Sequence, residues 1–280
     1  DPPHRTHRYS NHKPELIYAL PSSDALSGFR APRRTAELLQ GLDTALARRL
    51  RDLLTAQPSA QGIRAAFTQL LEQATRPTPE EVSEVAEACD ARLDTGSPSM
   101  RADRTVVLLA NAYPGDPGVV VSLLLNAVTL RPGDAMFVPA GGVHAYLNGM
   151  GVEIMASSDN VLRAGLTPKH VDVGELLSHV DYVPAAPILV VPEDFHGATK
   201  VFHAPVDDFE LSVTQVDDDL VHPLPGRGPR ILLCLGGELT ITSSVDGNIT
   251  LGKGQSLFAP ASDGGLTTRG HGNLVQAAVP

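Results

Sequence analysis

Residues 131–170 read RPGDAMFVPAGGVHAYLNGMGVEIMASSDNVLRAGLTPKH. An imidazole (His144), a carboxylate (Glu153), a guanidinium (Arg163) and an ammonium (Lys169) lie in this one apolar, glycine-punctuated stretch. Histidine and glutamate are donors for a divalent cation, and arginine and lysine take anionic oxygens. The stretch therefore holds the inventory for a metal ion and an anionic substrate together. A second polar pair stands near the start of the chain. The extended run Lys13–Leu20 alternates, so that Lys13, Glu15 and Ile17 share one face while Leu16 and Tyr18 share the other. His12 falls on the opposite side from Lys13 and reads as structural.

Short strands and turns must position these groups. From Val119 the chain is built of pieces such as LLLNAVTL, DAMFVPA and GVEIMA, separated by Gly and Pro. After a short helix around Val173–Val180, Pro184–Val191 opens a further run of strands: FELSVTQV, ILLCLGGELTITSS, NITLGKGQSLFAP and NLVQAAV. Turn signals every eight to twelve residues point to a β-sandwich or barrel. Between the Lys13–Leu20 strand and Val119 the texture is helical. Thr35–Leu54 carries Leu38, Leu39, Leu42, Leu46, Leu50, Leu53 and Leu54 at helical spacing. Gln61–Ala74 repeats the pattern. Thr78-Pro79-Glu80-Glu81 is a capping-box start for a helix running to about Leu93, and Arg104–Ala112 forms a further short helix.

Bulk composition narrows the function. The chain has 280 residues, 42% hydrophobic content, 4% aromatic residues, no Trp and a net charge of −10. It can bury a sizeable core. An acidic chain without a basic run does not attract phosphate backbones over a broad face, which argues against nucleic acid. No apolar run approaches a membrane span of about 20 residues. The two cysteines, Cys89 and Cys234, have no metal-type spacing, which fits a reduced cytoplasmic protein. The Asp217–Asp219 run lacks the alternating oxygen ligands of a calcium loop and reads as solvated.

The chain also repeats itself. LRPGDAMFVPAGGVHA, from Leu130, aligns with LGKGQSLFAPASDGGL, from Leu251. Leu130, Gly133, Phe137, Pro139 and Ala140 match Leu251, Gly254, Phe258, Pro260 and Ala261, while His144 falls on Gly265. The first copy, with Gly133, Pro139, Gly141, His144 and Asn148, resembles the second motif of the cupin barrels, in which the His is a metal ligand. The second copy lacks it and is expected to be metal-free. The fold expected is mainly β with an inserted α-helical block. It comprises two cupin-type (jelly-roll) β-barrels, the first incomplete in this chain. Residues 1–30 and 113–182 would form part of the catalytic barrel, 31–112 the helical domain and 183–280 the C-terminal barrel.

NHKPELIYAL (from Asn11), YPGDPGV (from Tyr113), HAYLNG (from His144) and SDNVLRAGLTPKH (from Ser158) together resemble the type I phosphomannose isomerases. The similarity runs in order across 11–180. It implies a metal-dependent aldose–ketose isomerase, cytoplasmic, acting on a small sugar phosphate in mannose use or GDP-mannose synthesis; a monomer is expected, although no residue fixes the oligomeric state. The implied cofactor is zinc, one per chain, with Glu15 and His144 as ligands. The family's Gln-x-His ligand pair is missing, since no Gln-x-His occurs in these 280 residues. The sequence thus resembles a family member without its opening strands: a fragment, a chain whose missing part is another chain, or an inactive form. His4 and His7 are substitutes only in principle, since they sit in a polar, proline-containing terminus.

The resemblance also implies roles for Arg163 and Glu153 in catalysis and for Lys169 in phosphate binding. Lys13 shares a face with Glu15, where a cation would depress its pKa and suit it to proton transfer. The base is left open among Lys13, Glu153 and a metal-bound water. Tyr146 and Asn160 would line the pocket, although core packing and a turn role serve them equally. Pairing to Asp159 or Asp172 is the ordinary alternative for Arg163 and Lys169. Two rival functions share the frame: an iron-dependent cupin oxygenase, disfavoured by the Arg163/Lys169 pair, and a non-catalytic sugar-phosphate-binding or regulatory cupin.

Overall fold

A computed structural model describes residues 12–158 and 161–280 of the chain. It is mainly β, with a block of helices between the second and third strands. The chain opens with β1 (Glu15–Ala19) and β2 (Ser23–Phe29). Helices α1 (Pro32–Leu39), α2 (Ala45–Ala56), α3 (Ala60–Leu71), α4 (Pro79–Thr95), α5 (Met100–Ala112) and the single turn α6 (Gly118–Val121) follow. Strands β3 (Leu125–Leu130), β4 (Ala135–Val138), β5 (His144–Tyr146) and β6 (Gly151–Met155) lead to α7 (Val173–His179). The remainder is β7 (Ile188–Val190), β8 (Glu193–Phe195), β9 (Thr199–Phe202), β10 (Glu210–Val216), β11 (His222–Pro223), β12 (Arg230–Ser243), β13 (Gly247–Gly252), β14 (Ser256–Ala259) and β15 (Leu266–Ala278).

Three antiparallel sheets result: β6-β1-β4-β7, β3-β2-β5 and an eight-stranded sheet of β8 to β15. The first two face each other, and the alternation of their strands decides what lies between them. Ala19, Met136 and Val138 from one meet Ala25 and Leu130 from the other in a small apolar core. Glu15 and Glu153 share the inward side of the four-stranded sheet with Ile17, since β6 sets Glu153 opposite Ile17. The outward side of that sheet, with Leu16, Phe137 and Tyr18, packs on Phe202, Leu211 and Val275 of the eight-stranded sheet. The outward side of the three-stranded sheet, with Leu26 and Ala145, packs on the helices. The order of layers is helices, three-stranded sheet, four-stranded sheet, eight-stranded sheet.

The helical block differs from the periodic reading in one place. The leucine stripe of Thr35–Leu54 is split into α1 and α2, because Thr44 caps a new helix by accepting from the Ala47 N–H. Spacing alone does not register such a break. The Thr78–Glu81 capping box forms with both of its bonds. Helix α5 begins at Met100, not Arg104, with Ser99 as its cap. Strand β7, expected in the C-terminal unit, hydrogen-bonds to β4 instead, so the boundary at 183 cuts through the four-stranded sheet. The repeat is visible as matching local structure. Gly133 and Gly254 have φ of 91° and 81°, and each precedes a four-residue strand that ends at a proline. Phe137 is buried in its copy, whereas Phe258 is exposed in the other.

Helix α4 is tied down by Arg92, whose Nε and Nη2 donate to the two oxygens of Asp103 at 2.6 and 2.5 Å. Its Nη1 donates to the Leu38 and Gln40 carbonyls at the end of α1. Asp103 is wholly buried and also accepts from Ser97 Oγ. Removing one partner strands the other charge without water. Asp103→Ala is therefore expected to cost about 3–5 kcal/mol in urea unfolding, whereas the apolar pair Arg92→Met/Asp103→Leu is expected to cost far less. No helix among the described residues is long and apolar enough to cross a membrane.

Candidate active site

Two sheets deliver the site. Strand β1 brings Glu15 and β6 brings Glu153 from one side; β5 brings His144 and Tyr146 from the other. Glu15 sits between an ammonium and an imidazole. Lys13 Nζ donates to its Oε1 at 2.6 Å, and His144 Nε2 lies 3.1 Å from its Oε2. His144 Nδ1 lies 3.1 Å from the Gly142 carbonyl. A carbonyl only accepts, so Nδ1 carries a hydrogen and Nε2 is aimed at Glu15. Across the cluster the Tyr146 hydroxyl donates to Glu153 Oε1 at 2.6 Å.

The charges follow from this packing. Burial alone would push the Glu15 carboxyl up, but the hydrogen bonds from His144 and Lys13, with their charges, hold it down at about 2. Burial works against charge on His144 as well. The Glu15 bond, the Gly142 carbonyl and the nearby carboxylates outweigh it and raise the imidazole. Glu153 is raised, first by burial and then, against the Tyr146 bond, by the charge of Glu15 beside it. Burial and the bond to Glu153 raise the Tyr146 phenol. Two carboxylates thus share one half-buried corner, where they repel unless a proton or a cation intervenes.

One donor atom each from Glu15, His144 and Glu153 lie within 4.8 Å of one another. Carboxylate oxygen and imidazole nitrogen are zinc donors, so Glu15 and His144 suit the ion as two of its ligands. Glu153 stands beside them within the same cluster, close enough to meet whatever the metal holds. These groups line a cavity of about 1070 Å³ that extends to the helices at Leu109 and Tyr113, to Arg163 and to α7.

No family profile matches the chain. Individual proteins do. It is 37% identical over 283 residues to the mannose-6-phosphate isomerase of Escherichia coli (strain K12), covering 99% of this chain and 68% of the relative. It is 32% identical over 275 residues to that of Rattus norvegicus, covering 91% and 64%. The chain belongs to the mannose-6-phosphate isomerase family.

The fold agrees with that of solved mannose-6-phosphate isomerases. A structure of one bound with zinc and yttrium superposes with a TM-score of 0.84 at 33% identity, over all of this chain and 69% of the other. A point mutant of phosphomannose isomerase from Salmonella typhimurium gives a TM-score of 0.85 at 32% identity, over 100% and 70% of the two chains.

Within this mannose-6-phosphate isomerase family member, the sequence candidates are not all brought together. Lys13, Glu15, His144, Tyr146, Glu153 and Arg163 line the one cavity. Lys169 is exposed and is not among the cavity-lining residues. His4, His7 and Asn160 lie outside the described residues. His12, read as structural, lines the cavity and also pairs with Asp208 of the C-terminal region at 2.9 Å. The Tyr146–Glu153 bond was not foreseen either, because it joins strands of different sheets.

Proposed function

We propose that this chain is a metal-dependent isomerase that interconverts mannose 6-phosphate and fructose 6-phosphate. The observation that carries the reading is the cluster of Glu15, His144 and Glu153 donors in one cavity with the cations Lys13 and Arg163. Glu15 and His144 would hold zinc, with Glu153 adjoining them. A bound divalent cation would polarise the sugar's carbonyl and hydroxyl oxygens.

The chain's own groups supply the rest. Aldose–ketose exchange moves a proton from C2 to C1, or back, while the hydroxyl proton crosses between O2 and O1. Glu153 is the proton carrier in this reading: it faces the cavity beside Glu15 and His144, and burial with the Glu15 charge raises its carboxyl, the direction that favours taking up a proton. Tyr146 orients it through Oε1. Arg163 stabilises the developing enediolate oxygen. Lys13, paired to Glu15, adds positive charge at the cavity wall. The phosphate role first given to Lys169 gains no support from its exposed position, whereas Lys13 and Arg163 face the cavity.

The same reading takes the two facing sheets as one cupin-type barrel, the eight-stranded sheet as a second without metal, and 31–112 as an inserted helical domain. It places the protein in the cytoplasm as a monomer without nucleic-acid or membrane partners. Relatives named as isomerases favour it over the non-catalytic sugar-phosphate binder. The test is direct. The chain is loaded with zinc, its metal is measured by elemental analysis, and fructose 6-phosphate formation is followed in a coupled assay. Zinc near one per chain with turnover is expected; neither metal nor turnover would sink the proposal.

A further inference from the structure

Arg163 has no helix or strand to hold it. It stands on the segment 161–168, which is irregular throughout, and a side chain on irregular backbone is placed only as well as that backbone is. The backbone hold comes from elsewhere in the chain. Asp116 follows the turn after α5, and its Oδ1 accepts from the Gly118 N–H at 2.7 Å. Its Oδ2 accepts from the Leu166 N–H at 3.1 Å, fifty residues on. One carboxylate therefore ties the start of α6 to the loop that bears Arg163.

The contact is interlocked as well as hydrogen-bonded. Leu166 has φ of 53°, a left-handed conformation that a bulky residue adopts only under constraint. Gly165 has φ of 134°, and a Cβ there would stand 2.6 Å from Asp116 Oδ1. A Cβ on Gly118 would stand 2.8 Å from Leu166 Cγ. The Leu166 side chain packs on the helical core. Two glycines, one unusual leucine and one carboxylate thus close on a single point, three positions from Arg163.

We propose that Asp116 is a positioning residue: its carboxylate, by holding the Gly118 and Leu166 amides together, fixes the loop that presents Arg163 to the cavity. This rests on the assignment of Arg163 to the active site. Asp116 acts through Arg163, so its loss has little to remove once Arg163 is gone.

The experiment is a double-mutant cycle with amide exchange. Asp116→Asn keeps the shape but turns one oxygen into a donor facing an N–H. It is expected to lower kcat by up to about 100-fold, the scale of a misplaced catalytic group, with KM changed far less. Zinc content should stay at the wild-type level. In an Arg163→Ala background the same substitution should cost no more than about twofold, the non-additivity of coupled sites. Gly165→Ala, which breaks the contact from the other side, should reproduce the loss and provides the test if Asp116→Asn fails to fold. Amides of 161–168 should exchange faster in Asp116→Asn. Wild-type kcat in both single variants, or an undiminished loss in the Arg163→Ala background, would overturn the proposal. If the parent chain shows no isomerase turnover, the activity assignment fails on its own. Exchange then decides for Asp116: unchanged protection of 161–168 overturns the clamp, and lost protection supports it.

Discussion

His144→Ala is expected to lose zinc and isomerase turnover together. His144 is the one nitrogen donor in the cluster, and it reaches Glu15 from the opposite sheet. With the ring removed, Glu15 and Glu153 face each other across a half-buried gap, and repulsion is relieved by a proton on Glu153 rather than by a cation. Changes behind a ligand cost about 10–100-fold in metal affinity, so loss of a ligand itself must exceed that. Elemental analysis and the coupled assay read the two losses separately. Zinc near one per chain in His144→Ala would remove this residue from the site. Glu153→Gln sharpens the contrast: it should retain metal and lose about 10²–10⁴ in kcat, as the loss of a proton carrier does. Metal lost from Glu153→Gln as well would move Glu153 from proton carrier to ligand.

What the sequence made legible follows the reach of local rules. The alternation of β1 put Lys13 and Glu15 on one face and Leu16 and Tyr18 on the other. The fold keeps that division because Leu16 is buried against the eight-stranded sheet while Glu15 meets His144. The capping box at Thr78 was legible for the same reason: all its bonds close within one turn. The pattern failed where two segments distant in sequence decide the outcome. Strand β7 joins β4 across α7, and no composition change marks that pairing. The YPGDPG stretch was visible as a motif, yet nothing in it shows that Asp116 holds a residue fifty positions away. Lys169 illustrates the converse: a cation six positions from Arg163 in sequence is exposed and does not line the cavity that Arg163 lines.

Arg163→Ala is expected to reduce kcat by about 10²–10³ while zinc content stays near one per chain, the scale of losing one donor to a developing oxyanion. The residue lines the cavity but is not one of the three clustered donors, so metal and turnover should separate here as they do not at His144. Arg163→Lys should recover little of the loss. A lysine keeps the charge but presents a single point in place of a planar fork, and the enediolate offers two adjacent oxygens. If Arg163 instead serves mainly to hold the substrate's phosphate, the signature changes: KM rises and kcat is spared. Steady-state kinetics on mannose 6-phosphate distinguishes the two. Wild-type kcat in Arg163→Ala would leave the cavity with Lys13 as its catalytic cation, and the enediolate would need its stabilisation from the Glu15 side of the site.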